Sequence, residues 1–163
     1  DEERAAADRV RLIGWVLVGV QALLLILLVL LPKRRSLFAP PDFLDVLGII
    51  LMAGGLALVI VSLVSLGAAL TPTPVPQESA ALRTKGVYSL VRHPVYSGIL
   101  VAALGFTLAV GSIWQVALWL ALAAFFYAKA FWEDRLLADK HGVAWFDYAD
   151  HVSSFIPRFW GSR

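Results

Sequence analysis

Arg92-His93-Pro94-Val95-Tyr96 stands immediately before a long apolar run. A guanidinium, an imidazole and a phenol are costly at the mouth of a membrane helix, and ionisable groups at membrane depth point to a functional site. Pro94 prevents a helix from running through it and restricts the backbone of His93. Tyr88 precedes this cluster, and Lys129 and Glu133 follow it at the far end of the apolar run. Together these residues supply one carboxylate, one imidazole, two cations and two phenols. Such a set suits a ligand with an anionic end, hydroxyl groups and a cationic centre. Arg92 or His93 would hold the anionic end, Glu133 would accept from hydroxyls, and tyrosine rings would face the cation. S-adenosylmethionine carries all three features. The plainer alternative is an interfacial ion pair of Glu133 with Lys129 or Arg92, with the basic helix ends meeting phosphate headgroups.

Bringing these residues together requires a helical hairpin. Leu12–Pro32, Val46–Gln77 and Pro94–Ala128 contain no Asp, Glu, Lys or Arg. A bilayer crossing takes roughly 20 apolar residues. The first two stretches each give one span, and the third gives two, folded at Gly111-Ser112. Transmembrane helices are expected at about 10–31, 44–70, 95–110 and 113–132. Counted from the Gly111-Ser112 turn, His93 and Glu133 fall at similar depths on neighbouring helix ends. The fold class is therefore all-α, a polytopic membrane bundle of about four helices in one domain spanning 1–163. Residues 10–70 form the first two helices.

Glycines 48, 54, 55 and 67 in the second helix would let a neighbouring helix approach closely. Thr71-Pro-Thr-Pro-Val-Pro76 sets a stiff extended path. It either ends the helix along the interface or walls a pocket. The fourth helix extends past the membrane as an amphipathic stretch, with Lys129, Glu133 and Leu137 on one stripe and Trp132, Leu136 and Lys140 on the next. Gly142 ends or bends it. The aromatic tail 143–157 reads as an interfacial helix, or as a lid over the mouth of the bundle.

Composition narrows the function. The 163 residues are 60% apolar and 16% charged, against about a quarter charged in soluble domains. Cysteine is absent, which removes thiol nucleophiles, disulfides and Cys-ligated metals. His93, His141 and His151 fall in no ligand spacing. No Gly-x-Gly-x-x-Gly follows a strand, so a Rossmann-type site is excluded. The net charge of +2 suits a lipid surface and gives no basic stripe for nucleic acid. The first apolar segment is too long for a signal-peptide core. With four spans, 11 basic residues lie on the side of the termini and the central loop, and 3 (Lys33, Arg34, Arg35) lie opposite. The positive-inside rule then makes the termini and the site cytoplasmic.

Gly86-Val-Tyr88, Arg92-His-Pro-x-Tyr96-x-Gly98, the hairpin, Glu133-Asp134-x-x-Leu137, Gly142, Tyr148 and Ile156-Pro157 resemble the isoprenylcysteine carboxyl methyltransferase family. The related phospholipid methyltransferases share this plan. The resemblance covers residues 71–158. It implies an integral membrane methyltransferase that uses S-adenosylmethionine on a lipophilic small-molecule acceptor. Tyr88 and the run His93, Pro94, Val95, Tyr96 would contact the cofactor, as would Glu133. Leu82 and Arg83 occupy the place of another cofactor-lining stretch. Lys129 stands where eukaryotic members have a substrate-side arginine, and Trp132 is assigned to the same side. A lysine replaces the arginine fork with a point charge, which leaves a carboxylate or an amine open as acceptor. The proline-rich lead-in resembles bacterial members, which would place the chain in a bacterial inner membrane.

Lys140-His-Gly-x-x-Trp145-x-x-Tyr148 also resembles the C-terminus of membrane sterol reductases, NADPH enzymes that share Arg-His-Pro-x-Tyr-x-Gly. Those enzymes read Asn within that motif and Asp just after its glycine, where this chain has Val95 and Ile99. A third reading is a non-catalytic membrane module that pairs through the glycines of the second helix.

Overall fold

The computed structural model describes residues 1–32, 42–67, 75 and 80–159. Among them are five α-helices: α1 (Glu2–Leu30), α2 (Asp42–Leu66), α3 (Pro94–Val110), α4 (Ile113–His141) and α5 (Val143–His151). A 3₁₀ turn, Gly86–Ser89, precedes α3. Thr71–Pro76, apart from Val75, lies outside the described residues, as do Lys33–Arg35 and the expected last residues of the second helix.

Helices α1, α2 and α4 are long and apolar enough to cross a membrane. The remaining expected span, α3, is apolar but has only 17 residues. At 1.5 Å per residue it reaches about 25 Å, less than the roughly 30 Å of a hydrocarbon core. Its limits have physical causes. Pro94 sits in the first turn, where its missing N–H costs nothing. At the other end Gly111 takes φ 65°, the left-handed cap for which a side chain is a penalty. Helices α1 and α4 run longer than expected. Helix α1 starts at Glu2 rather than near residue 10, with Glu2 and Glu3 favourably placed in its first turn. Helix α4 is continuous to His141, so the membrane stretch and its amphipathic extension are one element, ended by Gly142 at φ 58°.

Helix α4 packs between α1 and α3, and α3 packs in turn on α2. The α2–α3 pair is antiparallel and very close. A Cβ on Gly48 would come within 2.6 Å of the Gly105 carbonyl oxygen, and one on Gly55 within 2.5 Å of the Gly98 carbonyl oxygen. The glycines recur every seven residues on each helix, so two backbones meet without intervening side chains. Where α1, α3 and α4 converge, Leu28, Ala103, Leu122 and Phe126 form the buried core. Gln115, fully buried at the start of α4, donates to the carbonyls of Leu28 and Leu31 at 3.3 and 3.2 Å. It thereby satisfies orphan acceptors at the end of α1.

Candidate active site

Pro94 at the start of α3 leaves the segment 91–93 non-helical at the end of an apolar helix. Such backbone is tolerated only where its polar groups find protein partners. The tail supplies them. Val91 and Ser153 form a parallel bridge, with Arg92 N donating to Ser153 O at 2.8 Å and His93 N to Ser154 O at 3.0 Å. Ser97 Oγ donates to Phe155 O at 2.8 Å. One helix further back, Tyr148 Oη donates to Tyr88 O at 2.5 Å. The tail is thus strapped across the start of α3, a role closer to the lid reading than to a free interfacial helix.

The side chains converge as the hairpin predicts. His93, 5% exposed, is in hydrogen-bond contact through Nε2 with Asp134 Oδ1 at 2.8 Å. Its Nδ1 is 3.9 Å from Glu133 Oε2. Tyr96 Oη donates to Glu133 Oε2 at 2.7 Å, and its ring stacks on His93 (5.4 Å, 7°) and on Phe126 (4.8 Å, 20°). Each aromatic therefore fixes the next, and the imidazole is held by the stacked Tyr96 ring, by the tilted Phe155 ring at 5.9 Å and at one nitrogen.

Arg92 differs from the expected anion holder. Its Nη2 donates to Asp134 Oδ2 and Ser154 Oγ at 3.0 and 2.7 Å, and its Nη1 to Val152 O at 2.5 Å. The guanidinium also lies over the Trp145 ring, 5.7 Å from its centroid. Both terminal nitrogens are committed to protein groups, so Arg92 ties the tail to α4. Asp134, singled out only as part of a motif, is the residue that joins Arg92 to His93. A Glu-Asp pair in an apolar helix was the signal that could have marked it.

Lys129 is 4% exposed. Its Nζ donates to Gln21 Oε1 of α1 and sits 4.8 Å above the Tyr96 ring. The expected Lys129–Glu133 or Arg92–Glu133 ion pair does not form within 4 Å; among the described residues Arg92 pairs with Asp134, and the His93 ring lies against Asp134 and Glu133. Pro94 is fully buried, while Val95 and Trp132 are half-buried. Tyr88 is buried, its hydroxyl 3.5 Å from Ser62 O of α2. Burial, with Glu133 nearby, pushes its phenol well above the usual range. Tyr148 is raised for the same first reason, to about 12. Leu82 is half-buried and Arg83 exposed, on a segment anchored where Lys140 Nζ donates to Ala80 O at 3.0 Å. Among the described residues no hydrogen bond or ion pair joins Leu82 or Arg83 to the His93 cluster.

A family model, phospholipid methyltransferase, matches residues 44–143. The chain belongs to the phospholipid methyltransferase family. Protein-S-isoprenylcysteine O-methyltransferase A of Arabidopsis thaliana is 33% identical over 82 residues, which is 50% of this chain and 42% of that protein. A probable protein-S-isoprenylcysteine O-methyltransferase of Oryza sativa subsp. indica is 35% identical over 82 residues, covering 50% and 43%. The chain therefore spans less than half the length of these relatives. Among solved structures, the eukaryotic intramembrane Ras methyltransferase ICMT superposes with a TM-score of 0.67 at 21% identity, over 98% of this chain and 55% of that one. That likeness establishes the membrane-bundle fold. Family membership also decides between the two resemblances read from the Arg-His-Pro motif, in favour of the methyltransferases. The matched region takes in α2 to α4 and leaves out α1 and most of the strap.

Proposed function

We propose that this chain transfers the methyl group of S-adenosylmethionine to a lipophilic acceptor bearing a carboxylate or amine. The observation that carries this reading is the meeting of His93 and Tyr96 with Glu133 across the α3–α4 hairpin. The donor set fits the cofactor. Glu133 Oε1 has no hydrogen-bond partner among the described residues, leaving an acceptor for ribose hydroxyls. Pro94 has no N–H, and the first-turn N–H groups of Val95 and Tyr96 have no intrahelical acceptors, so they suit a carboxylate at the positive end of the helix. When bound, the cofactor supplies an electrophilic methyl whose bond to sulfur breaks with the electron pair leaving on sulfur. The protein's part is positioning and exclusion of water. Tyr96 holds Glu133, Asp134 and the stacked Tyr96 ring hold His93, and the strap covers the non-helical segment. With a carboxylate acceptor no side chain has to remove a proton; an amine acceptor would first have to lose one.

The excess of basic residues on the side of the termini supports a cytoplasmic site. A water-soluble cofactor would enter there, and the acceptor would enter laterally from the lipid. The test is thermal stabilisation of the detergent-solubilised protein. S-adenosylhomocysteine at about 100 times its Kd should add roughly 2.7 kcal/mol of stability, and NADPH should add none. His93→Ala and Glu133→Ala should weaken S-adenosylhomocysteine binding while the helical signal persists. Stabilisation by NADPH alone would overturn the reading, and unchanged S-adenosylhomocysteine affinity in both variants would overturn the site.

A further inference from the structure

Helix α1 lies outside the matched family region, yet it sends one polar side chain into the site. Gln21 is the only amide, acid or base in the apolar run Leu12–Pro32. It accepts a hydrogen bond from Lys129 Nζ. Lys129 is 4% exposed, and among the described residues no carboxylate lies within 4 Å of its Nζ. The nearest candidate on its own helix, Glu133, is instead engaged by Tyr96 and faced by His93. Lys129 is thus a buried amine whose one hydrogen-bonded side chain among the described residues is a neutral amide. An ammonium has three N–H donors, and Gln21 takes one of them. A buried cation without an anion is costly, and the ring face of Tyr96 at 4.8 Å offsets only part of that cost.

We propose that Gln21 is a specificity-determining residue: by meeting Lys129 with a neutral amide, it reserves the ammonium for the anionic head of a lipophilic acid. This rests on the methyl-transfer reading for its purpose, although the binding it describes stands by itself. An amide holds Nζ in place through one bond and brings no negative charge to it. A carboxylate at the same position would hold Nζ equally well and cancel that charge. The surroundings favour an amphiphile: Lys129 Nζ lies 5.9 Å from the ring centroid of Phe126, a member of the apolar core on which Leu24, Leu25 and Phe125 also pack. A lipophilic amine would bring a second positive charge to Lys129, and a lipophilic alcohol would leave the ammonium unneutralised.

The experiment compares oleate, oleylamine and oleyl alcohol, which share one tail, by thermal-shift titration of the full chain in detergent. The wild type should bind oleate at least about tenfold more tightly than oleylamine, a difference of about 1.4 kcal/mol. Gln21→Glu, nearly isosteric, should bring the two affinities within about twofold of each other, because it seats a permanent carboxylate on Lys129. Gln21→Met should keep the preference for oleate. Lys129→Gln removes the charge and should abolish the preference, which keeps the proposal testable should Gln21→Glu fail to fold. A Gln21→Glu or Lys129→Gln protein that retains the full preference refutes it, as does a wild type that binds the three probes equally. S-adenosylhomocysteine is titrated in parallel. Its failure to stabilise the wild type would count against methyl transfer, whereas the oleate series reports on Gln21 alone.

Discussion

Gly54 and Gly55 are neighbours in sequence and opposites in setting, so alanine should affect them with opposite signs. A Cβ on Gly55 would lie 2.5 Å from Gly98 O and 2.8 Å from Ala102 Cβ. Both distances are below ordinary van der Waals contact. One obstacle is helix backbone, which cannot rotate away as a side chain can. Helices α2 and α3 must therefore part by something near an ångström, and a gap of that size forfeits a quarter to a half of each dispersion contact along the seam. Overpacking of this kind costs about 1–3 kcal/mol, and the rigid backbone argues for the upper end. For a chain of this length about 3 kcal/mol corresponds to a Tm lower by roughly 6–12 °C. Gly54 has nothing within 4 Å of its would-be Cβ. There alanine meets open space and only removes the helical penalty of glycine, a gain of about 0.5–1 kcal/mol. The assay is thermal unfolding of both variants in one detergent, followed by circular dichroism. Equal shifts, or a larger loss at Gly54, would refute the packing argument. A larger loss at Gly54 would instead favour the reading in which that glycine forms a face between copies.

Two further outcomes follow from the strap and the carboxylate beneath it. Asp134→Ala leaves Arg92 and His93 without their shared acceptor, and losing one partner of a buried pair costs about 3 kcal/mol or more. Asp134→Asn should cost less, because its carbonyl still accepts one bond; a Tm unchanged by either substitution would show that the bridge carries no stability. Tyr148 gives a pH signature: the folded phenol keeps its proton to about 12, while an unfolded one releases it near 10.0. Its contribution is complete below that window and lost as the pH rises through it. Tyr148→Phe should therefore flatten part of the fall in Tm between those values, and an unaltered alkaline slope would contradict the assignment.

The hairpin was legible because its signals are local. Pro94 and Gly111 fix the ends of α3 by backbone chemistry alone, and the charge-free run between Pro94 and Ala128 needed a break near its middle. The meeting of His93 with Glu133 followed from their similar distances to that turn. The partners of Arg92 were not legible. Two of them are the carbonyl of Val152 and the hydroxyl of Ser154; every residue has a carbonyl, and serine is common in tails. Nor does a sequence say that the tail returns beside residues 91–93, because that pairing satisfies backbone groups and leaves side-chain type nearly free. Gln21 was visible as a lone amide in an apolar run, but its meaning required knowing that α1 packs on α4.

The choice between Glu133 and Asp134 shows why the site needs both. Adjacent positions on a helix point about 100° apart, so two neighbouring carboxylates cannot share one task. Asp134 is 8% exposed, and both of its oxygens are taken, one by His93 and one by Arg92. Glu133 uses only Oε2, for Tyr96. The shorter side chain sits where the framework closes tightly, and the longer one keeps an oxygen free of protein partners among the described residues. Exchanging them would put the longer acid into the cramped bridge and withdraw the shorter one from Tyr96. On this argument Arg92 belongs with Asp134, as the clasp that lets a non-helical His93 exist beside a membrane span, and the proposed methyl transfer would draw its ligand contacts from Glu133, His93 and the first turn of α3.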